Sequence, residues 1–411
     1  METKRIFFGL LIISCGVLAQ EKPSKGSSVW DREALSGDWS GVRSSLLERG
    51  YEFTFEYTAE AFFHASGGIK TGSAYNGAGY GALDINGETA FGWAGTRLRF
   101  STFWTHGVTP GQYAGNELAV SNIDAYDGLR LHEVFYEKDC GKLNLRLGNL
   151  LADDEFVGSV YRDALINDAF GQTASWSANA VNGGPAFNAP GLGLRLRYDF
   201  SETTYLQAGI YDGDVFDDAG GDPSINQHGT HFELGNGQGW TSLYQVGYNG
   251  FAISDGTDLP GWYRLGAWHH SSEFDKHAGG KVDGNGGIFA SVDKMVFREG
   301  QHDQGLGVFG RWGVARRDRS RFHWSTEAGL NYKGLISGRD EDVASLGFIY
   351  GKHSSEITDV KSHESVLELT YIYQLSPAIY IQPDIQWINR PSGDNTIGDA
   401  WAIGLRLGVT F

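Results

Sequence analysis

The chain holds very little cysteine or proline: two Cys and nine Pro in 411 residues. Once an N-terminal export segment is removed, Cys140 is the one thiol left, which excludes an intrachain disulfide and a cysteine metal cluster. Past the N-terminus, no run approaches the roughly 18 apolar residues that a membrane helix needs. Basic residues are in deficit, with 33 Lys+Arg against 50 Asp+Glu and a formal charge of −17. That balance argues against nucleic-acid binding, which calls for a basic stripe. Long helical periodicity is nearly absent, so the multidomain α/β enzyme suggested by length alone fits poorly. The 59 glycines show no three-residue period, which excludes a collagen-like chain.

What the chain does have is a period of two. From Trp401 to the end, Trp401, Ile403, Leu405, Leu407, Val409 and Phe411 alternate with Ala402, Gly404, Arg406, Gly408 and Thr410. One face of such a strand is wholly apolar and the other small or polar. Its length matches the roughly ten residues with which an outer-membrane barrel strand crosses its apolar band. Tyr51, Phe53, Phe55 and Tyr57 likewise alternate with Glu52, Thr54, Glu56 and Thr58. Three glutamates on one strand face (Glu60 is the third) need water, and a barrel lumen supplies it. A mean hydropathy of −0.31 is compatible with a membrane barrel, since each strand is apolar on one face only.

The pattern recurs down the chain. Arg97 and Arg99 oppose Leu98 and Phe100; Arg146 opposes Leu145 and Leu147; Arg195 and Arg197 oppose Leu194 and Leu196. Glu368 opposes Leu367 and Leu369, and Gln382, Asp384 and Gln386 oppose Ile381, Ile385 and Trp387. The predicted fold is an all-β, closed antiparallel transmembrane barrel of about 16 strands over residues 51–411. Residues 1–19 read as a signal peptide cleaved after Ala19, with the lipobox-like Ile12-Ile13-Ser14-Cys15 as the competing reading. Residues 20–50 form a periplasmic leader with a short helix over 38–49, N-capped by Asp38 and ended by Gly50, packed against or plugging the barrel. Residues 67–81 read as an aperiodic loop, as do 283–287 and 392–395.

Joint motifs then identify a family. They include Leu35-Ser36-Gly37-Asp38-Trp39-Ser40-Gly41-Val42-Arg43, Leu145-Arg146-Leu147-Gly148-Asn149 and Gly209-Ile210-Tyr211-Asp212-Gly213. Further on come Leu259-Pro260-Gly261-Trp262-Tyr263-Arg264-Leu265-Gly266, Ile381-Gln382-Pro383-Asp384-Ile385-Gln386-Trp387-Ile388 and Gly404-Leu405-Arg406-Leu407. In this order they resemble the carbohydrate-selective porins of Gram-negative outer membranes along nearly the whole mature chain. The resemblance implies a sixteen-stranded barrel and passive diffusion of sugars such as glucose. The glycine-rich 68–81 stretch and the acidic 217–222 stretch depart from the family pattern and leave the particular sugar open.

A porin selects by pore width and lining groups, without bond chemistry or a cofactor. The register sends Arg97, Arg99, Arg146, Arg195, Arg197 and Arg406 inward, because an unpaired arginine at mid-bilayer costs about 2–4 kcal/mol. With Glu368, Gln382, Asp384 and Gln386 they are the candidate pore-lining set, since guanidinium donates to sugar hydroxyls and carboxylate accepts from them. The competing reading is that these charges pair across the lumen and only stabilise the wall. Trp262, Trp268 and Trp312 read as interfacial girdle residues, with sugar stacking as the alternative. The acidic 212–222 stretch reads as a solvated loop rather than a metal site. Expected partners are small sugars, outer-membrane lipid, barrel-assembly machinery through the strand ending at Phe411, and a homo-oligomer partner if the chain forms a trimer. Rival readings are a porin for other small or anionic solutes, an outer-membrane barrel enzyme, and a secreted lectin. No G-x-S-x-G motif accompanies the histidines to support the enzyme.

Overall fold

The computed structural model describes residues 28–411 apart from 219, 236, 251–258, 301–302 and 359–361. The expected signal peptide and the lipobox-like Cys15 lie outside the described residues. The chain forms sixteen antiparallel strands that close on themselves. They are β1 (Tyr51–Gly68), β2 (Gly72–Asn86), β3 (Thr96–Gly107) and β4 (Gly128–Cys140). Then come β5 (Leu143–Leu150), β6 (Gly191–Asp199), β7 (Thr204–Asp212) and β8 (Trp240–Asn249). The second half holds β9 (Gly261–Asp275), β10 (Lys281–Arg298), β11 (Gly305–Ala315) and β12 (Phe322–Lys333). Finally β13 (Val343–His353), β14 (His363–Ser376), β15 (Ile379–Asn389) and β16 (Gly398–Thr410) bring the wall back to β1, with Glu60 opposite Arg406 across the seam. Closure pairs every strand on both sides and leaves no sheet edge.

Alternation sorts the side chains as the period of two predicts. Trp401, Ile403, Leu405 and Leu407 are exposed on the outer surface, while Ala402 and Arg406 are buried inside. Outward aromatics form two bands, Trp104, Trp240, Trp312 and Trp401 near one end and Trp93, Phe200, Tyr248 and Phe297 near the other. This is the girdle arrangement of a wall that sits in lipid. Both described chain ends lie at the second end, and the long connections 108–127, 151–190 and 213–239 all leave the first.

The apolar core lies inside the barrel. Leu118, Val120, Leu165, Ile166 and Phe170 from two long loops pack on Phe309, Ile349, Val366 and Ile388 of the inner wall. A second cluster sets Phe156, Val157 and Trp176 against Phe135, Tyr211, Leu243, Trp268 and Phe289. The 151–190 loop therefore folds back into the lumen. Glycines on the inner wall make room for it: a Cβ on Gly347 would lie 2.6 Å from both Leu165 and Phe170, and one on Gly307 would strike the Tyr161 ring.

Several sequence expectations are corrected. Of residues 67–81, read as a loop, 67–68 end strand β1 and 72–81 belong to strand β2. Its glycines and alanines leave both faces small, so no period shows. On the outer face, Tyr57, Trp104 and His106 lie over Gly77 and Gly79 and fill the missing volume. Residues 283–287 lie within β10, where Gly284 sits at a bulge, and the turn is 276–280 instead. Trp262 and Trp268 face inward, 6% and 3% exposed, because their strand neighbours Tyr263 and Leu265 take the lipid face; Trp312 is the outward one.

The leader helix α1 (Val42–Glu48) is shorter than expected and follows a turn of 3-10 helix. Asp38 caps it from a distance, its Oδ1 accepting from the Ser44 N–H and hydroxyl, both at 2.7 Å. Gly50 ends it at φ +87°, a left-handed conformation that suits glycine. The leader packs on the rim rather than plugging the pore. Trp39 packs on the outer-face rings of Phe53 and Phe55, at 6.1 and 6.3 Å between centroids. Arg43 donates to the main-chain oxygens of Phe53 (2.8 Å) and Phe411 (3.0 Å), so it bridges the first and last strands.

Candidate functional site

The predicted pore-lining residues all point inward, and the structure divides them into two groups. The first is a ladder on β2–β6. Arg97 and Arg99 share Asp84, with Arg97 at 2.6 Å and Arg99 at 2.9 Å, and Arg99 also reaches Glu133 at 3.3 Å. Arg146 pairs with Glu137 at 3.1 Å and with Glu155, while Arg195 lies 2.9 Å from Glu155 and 3.7 Å from Glu137. Arg197 pairs with Asp199 at 2.9 Å and lies over the Tyr205 ring at 3.7 Å. The Arg146 guanidinium sits 4.4 Å from the Phe135 ring centroid, and Arg97 and Arg99 approach the same ring. Five guanidiniums thus meet five carboxylates, and the ladder has no net charge.

Most of these acids escaped the sequence reading. Glu133 and Glu137 stand on β4, where a bulge opposite Phe100–Thr102 switches the inward register from Arg130 and His132 to Glu133, Phe135 and Glu137. A bulge shifts the period by one residue and hides it from a pattern search. Glu155 lies in α2 (Ala152–Phe156) of the long loop, which has no period to read. Burial disfavours its charge, but Arg146 and Arg195 outweigh that and hold its carboxyl below the ordinary value.

The second group, Glu368, Gln382, Asp384, Gln386 and Arg406, is covered by the inner loops. Glu368 accepts the N–H groups of Ile166 (2.5 Å) and Asn167 (2.9 Å). Gln382 donates to the Ala164 carbonyl at 2.7 Å, and Gln386 to the Val120 carbonyl at 2.9 Å. Arg406 is fully buried between Glu60 and Asn122, and the Glu60 carboxylate also accepts the Ser121 hydroxyl at 2.6 Å. Buried loop backbone must find partners somewhere, and these side chains provide them. Arg311 acts alike on β11, donating to the carbonyls of Val157 (3.2 Å) and Ala169 (3.1 Å) while pairing with Glu327. This group therefore seats the loops that set the width of the passage.

The passage between loop and wall has a cavity volume of about 100 Å³. Glu56, Tyr80, Phe103, Asp163, Asp168 and Phe187 are among its lining. The Phe103 and Phe187 rings meet edge to face at 5.1 Å. Carboxylates and ring faces in one narrow passage can accept from hydroxyls and cover C–H faces.

The comparisons agree with this architecture. The profile of a family described as carbohydrate-selective porin, OprB family, matches residues 70–411. A protein named "Putative porin QuiX" from Acinetobacter baylyi is 24% identical over 99% of this chain and 100% of its own. Porin B of Pseudomonas aeruginosa is 23% identical over 94% of each. Among solved structures, the high-pH form of Pseudomonas putida OprB superposes with a TM-score of 0.83 at 17% identity, over 94% of this chain and all of that one.

Proposed function

The chain belongs to the carbohydrate-selective porin family, and from that premise we propose that it admits small sugars, monosaccharides such as glucose, by passive diffusion across the Gram-negative outer membrane. The observation that carries this reading is the charge-balanced ladder of Arg97, Arg99, Arg146, Arg195 and Arg197 with its five carboxylates, beside a passage narrowed by the 151–190 loop. A neutral sugar entering a narrow pore loses water from its hydroxyls. Guanidinium groups donate to those hydroxyls and carboxylates accept from them, so the wall replaces the lost hydrogen bonds. With no net charge, the ladder holds a polyol without retaining an ion. Conduction requires that such binding be weak enough to release.

The paired state of every ladder arginine supports the sugar reading over a channel for anions, whose attraction would need guanidiniums in excess. Gln382, Gln386 and Glu368 act in this reading through the loops they hold, Asp384 through the Gln386 amide that donates to it, and Arg406 through the seam. The outward, exposed aromatic terminus at Phe411 supports delivery by barrel-assembly machinery. Sugar flux into proteoliposomes tests the proposal. The double variant Arg195→Ala with Arg197→Ala is expected to change glucose flux at least severalfold; unchanged flux and unchanged ion selectivity would reject a role for the ladder.

A further inference from the structure

The charges around the narrow passage do not cancel as those of the ladder do. Its lining includes Glu56 from β1 and Asp153, Asp154, Asp163 and Asp168 from the inner loop. The cations that touch the same space are Arg162 and Arg406, and each already faces a buried carboxylate, Glu327 and Glu60 respectively. Glu56, Asp163 and Asp168 have no ion pair or side-chain hydrogen bond among the described residues. Asp153 is 4% exposed; its Oδ2 accepts the Phe187 N–H at 2.9 Å, and its Oδ1 has no hydrogen-bond partner among the described residues. A buried acceptor without a donor is costly, and a passing donor would relieve it. No three ligating side chains among the described residues converge closely enough to hold a metal ion.

Resting on the porin reading, we infer that this passage is a cation-preferring constriction, which passes solutes bearing a protonated amine, amine-substituted sugars among them, ahead of neutral sugars and excludes anionic ones. Low-dielectric walls focus the field of such a cluster onto the permeant. The ammonium group supplies the donors that the Asp153 Oδ1 and the Asp163 and Asp168 carboxylates lack, and Tyr80, Phe103 and Phe187 cover the apolar faces of the ring.

The cluster should also respond to pH near neutrality. Burial, with Asp293 nearby and Arg162 and Arg264 opposing them, pushes the Asp163 carboxyl up to about 7. Burial, with Asp153 and Asp124 nearby and Arg311 opposing them, pushes Asp168 up to about 7. A carboxyl raised in this way is neutral below that pH and charged above it, so cation preference rises from pH 6 to pH 8 and fades towards pH 5.

The test is the reversal potential of purified channels in a planar bilayer across a tenfold KCl gradient, with glucosamine, glucose and gluconate compared for permeation in the same preparation. The expected result is K⁺ preferred over Cl⁻, glucosamine fastest and gluconate slowest. The Asp163→Asn with Asp168→Asn variant should lower the K⁺/Cl⁻ permeability ratio by roughly threefold. Should the variant fail to fold, the pH 5 to pH 8 profile of the unmodified channel reads the same groups. Chloride preference, gluconate ahead of glucosamine, or a selectivity that neither the variant nor pH moves would overturn the inference. Glucose passage without cation preference defeats this inference alone, whereas a channel that excludes glucose defeats the sugar-porin reading beneath it.

Discussion

At the scale of single residues, the barrel turns on charges that would be prohibitive without their partners. Arg406 is the largest case, fully buried at the seam where β1 meets β16 and paired with Glu60 in direct register. Replacing it by leucine leaves Glu60 buried without its countercharge, a loss of about 3–5 kcal/mol by analogy with other broken buried pairs. Arg406→Leu is therefore expected to lower the temperature at which the purified barrel loses its compact gel mobility. The double variant Glu60→Gln with Arg406→Leu should recover part of that loss, because it removes the stranded charge. Equal melting of all three proteins would mean that the pair contributes nothing to closure.

Among the elements, the 151–190 loop is the one whose seat decides conduction. Its backbone is held by Glu368, Gln382 and Arg311, and its apolar side chains fill spaces that wall glycines leave open. At Gly347 an added side chain would meet Leu165 and Phe170 and drive the loop off the wall towards the channel axis. Gly347→Val is expected to reduce single-channel conductance while strand content by circular dichroism stays the same. Unchanged conductance would show that the loop yields elsewhere. Sequence patterns gave no access to this seat. Glu368, Gln382 and Gln386 were legible as inward residues, yet an inward side chain can face water or a loop, and the period of two does not distinguish them.

Across the whole molecule, closure and passage are separable. The leader that joins β1 to β16 lies on the outer rim, with Trp39 on Phe53 and Phe55 and Arg43 on the chain end. Trp39→Ala with Arg43→Ala should weaken the barrel by about 1–3 kcal/mol, from two lost aromatic contacts and two lost charged hydrogen bonds, and leave conductance unchanged. Chemical unfolding in detergent and single-channel recording measure the two effects. A rise in conductance would instead place the leader in the passage, as a plug.

The amino-acid sequence by itself determined the barrel, its inward and outward faces and the arginines of its wall. Each of these follows from a local rule: alternate side chains of a strand face opposite ways, and lipid rejects charge. Regularity was also the limit of what could be read. At Gly77 and Gly79 both faces are too small to show a period, and at the β4 bulge the period slips and conceals Glu133 and Glu137. Only the tertiary structure decided which arginines meet which acids, which polar groups vanish beneath a loop, and which carboxylates stay open to the passage. Those outcomes depend on where residues 108–127 and 151–190 come to rest, and that position is set by contacts between residues hundreds of positions apart, which no local pattern records.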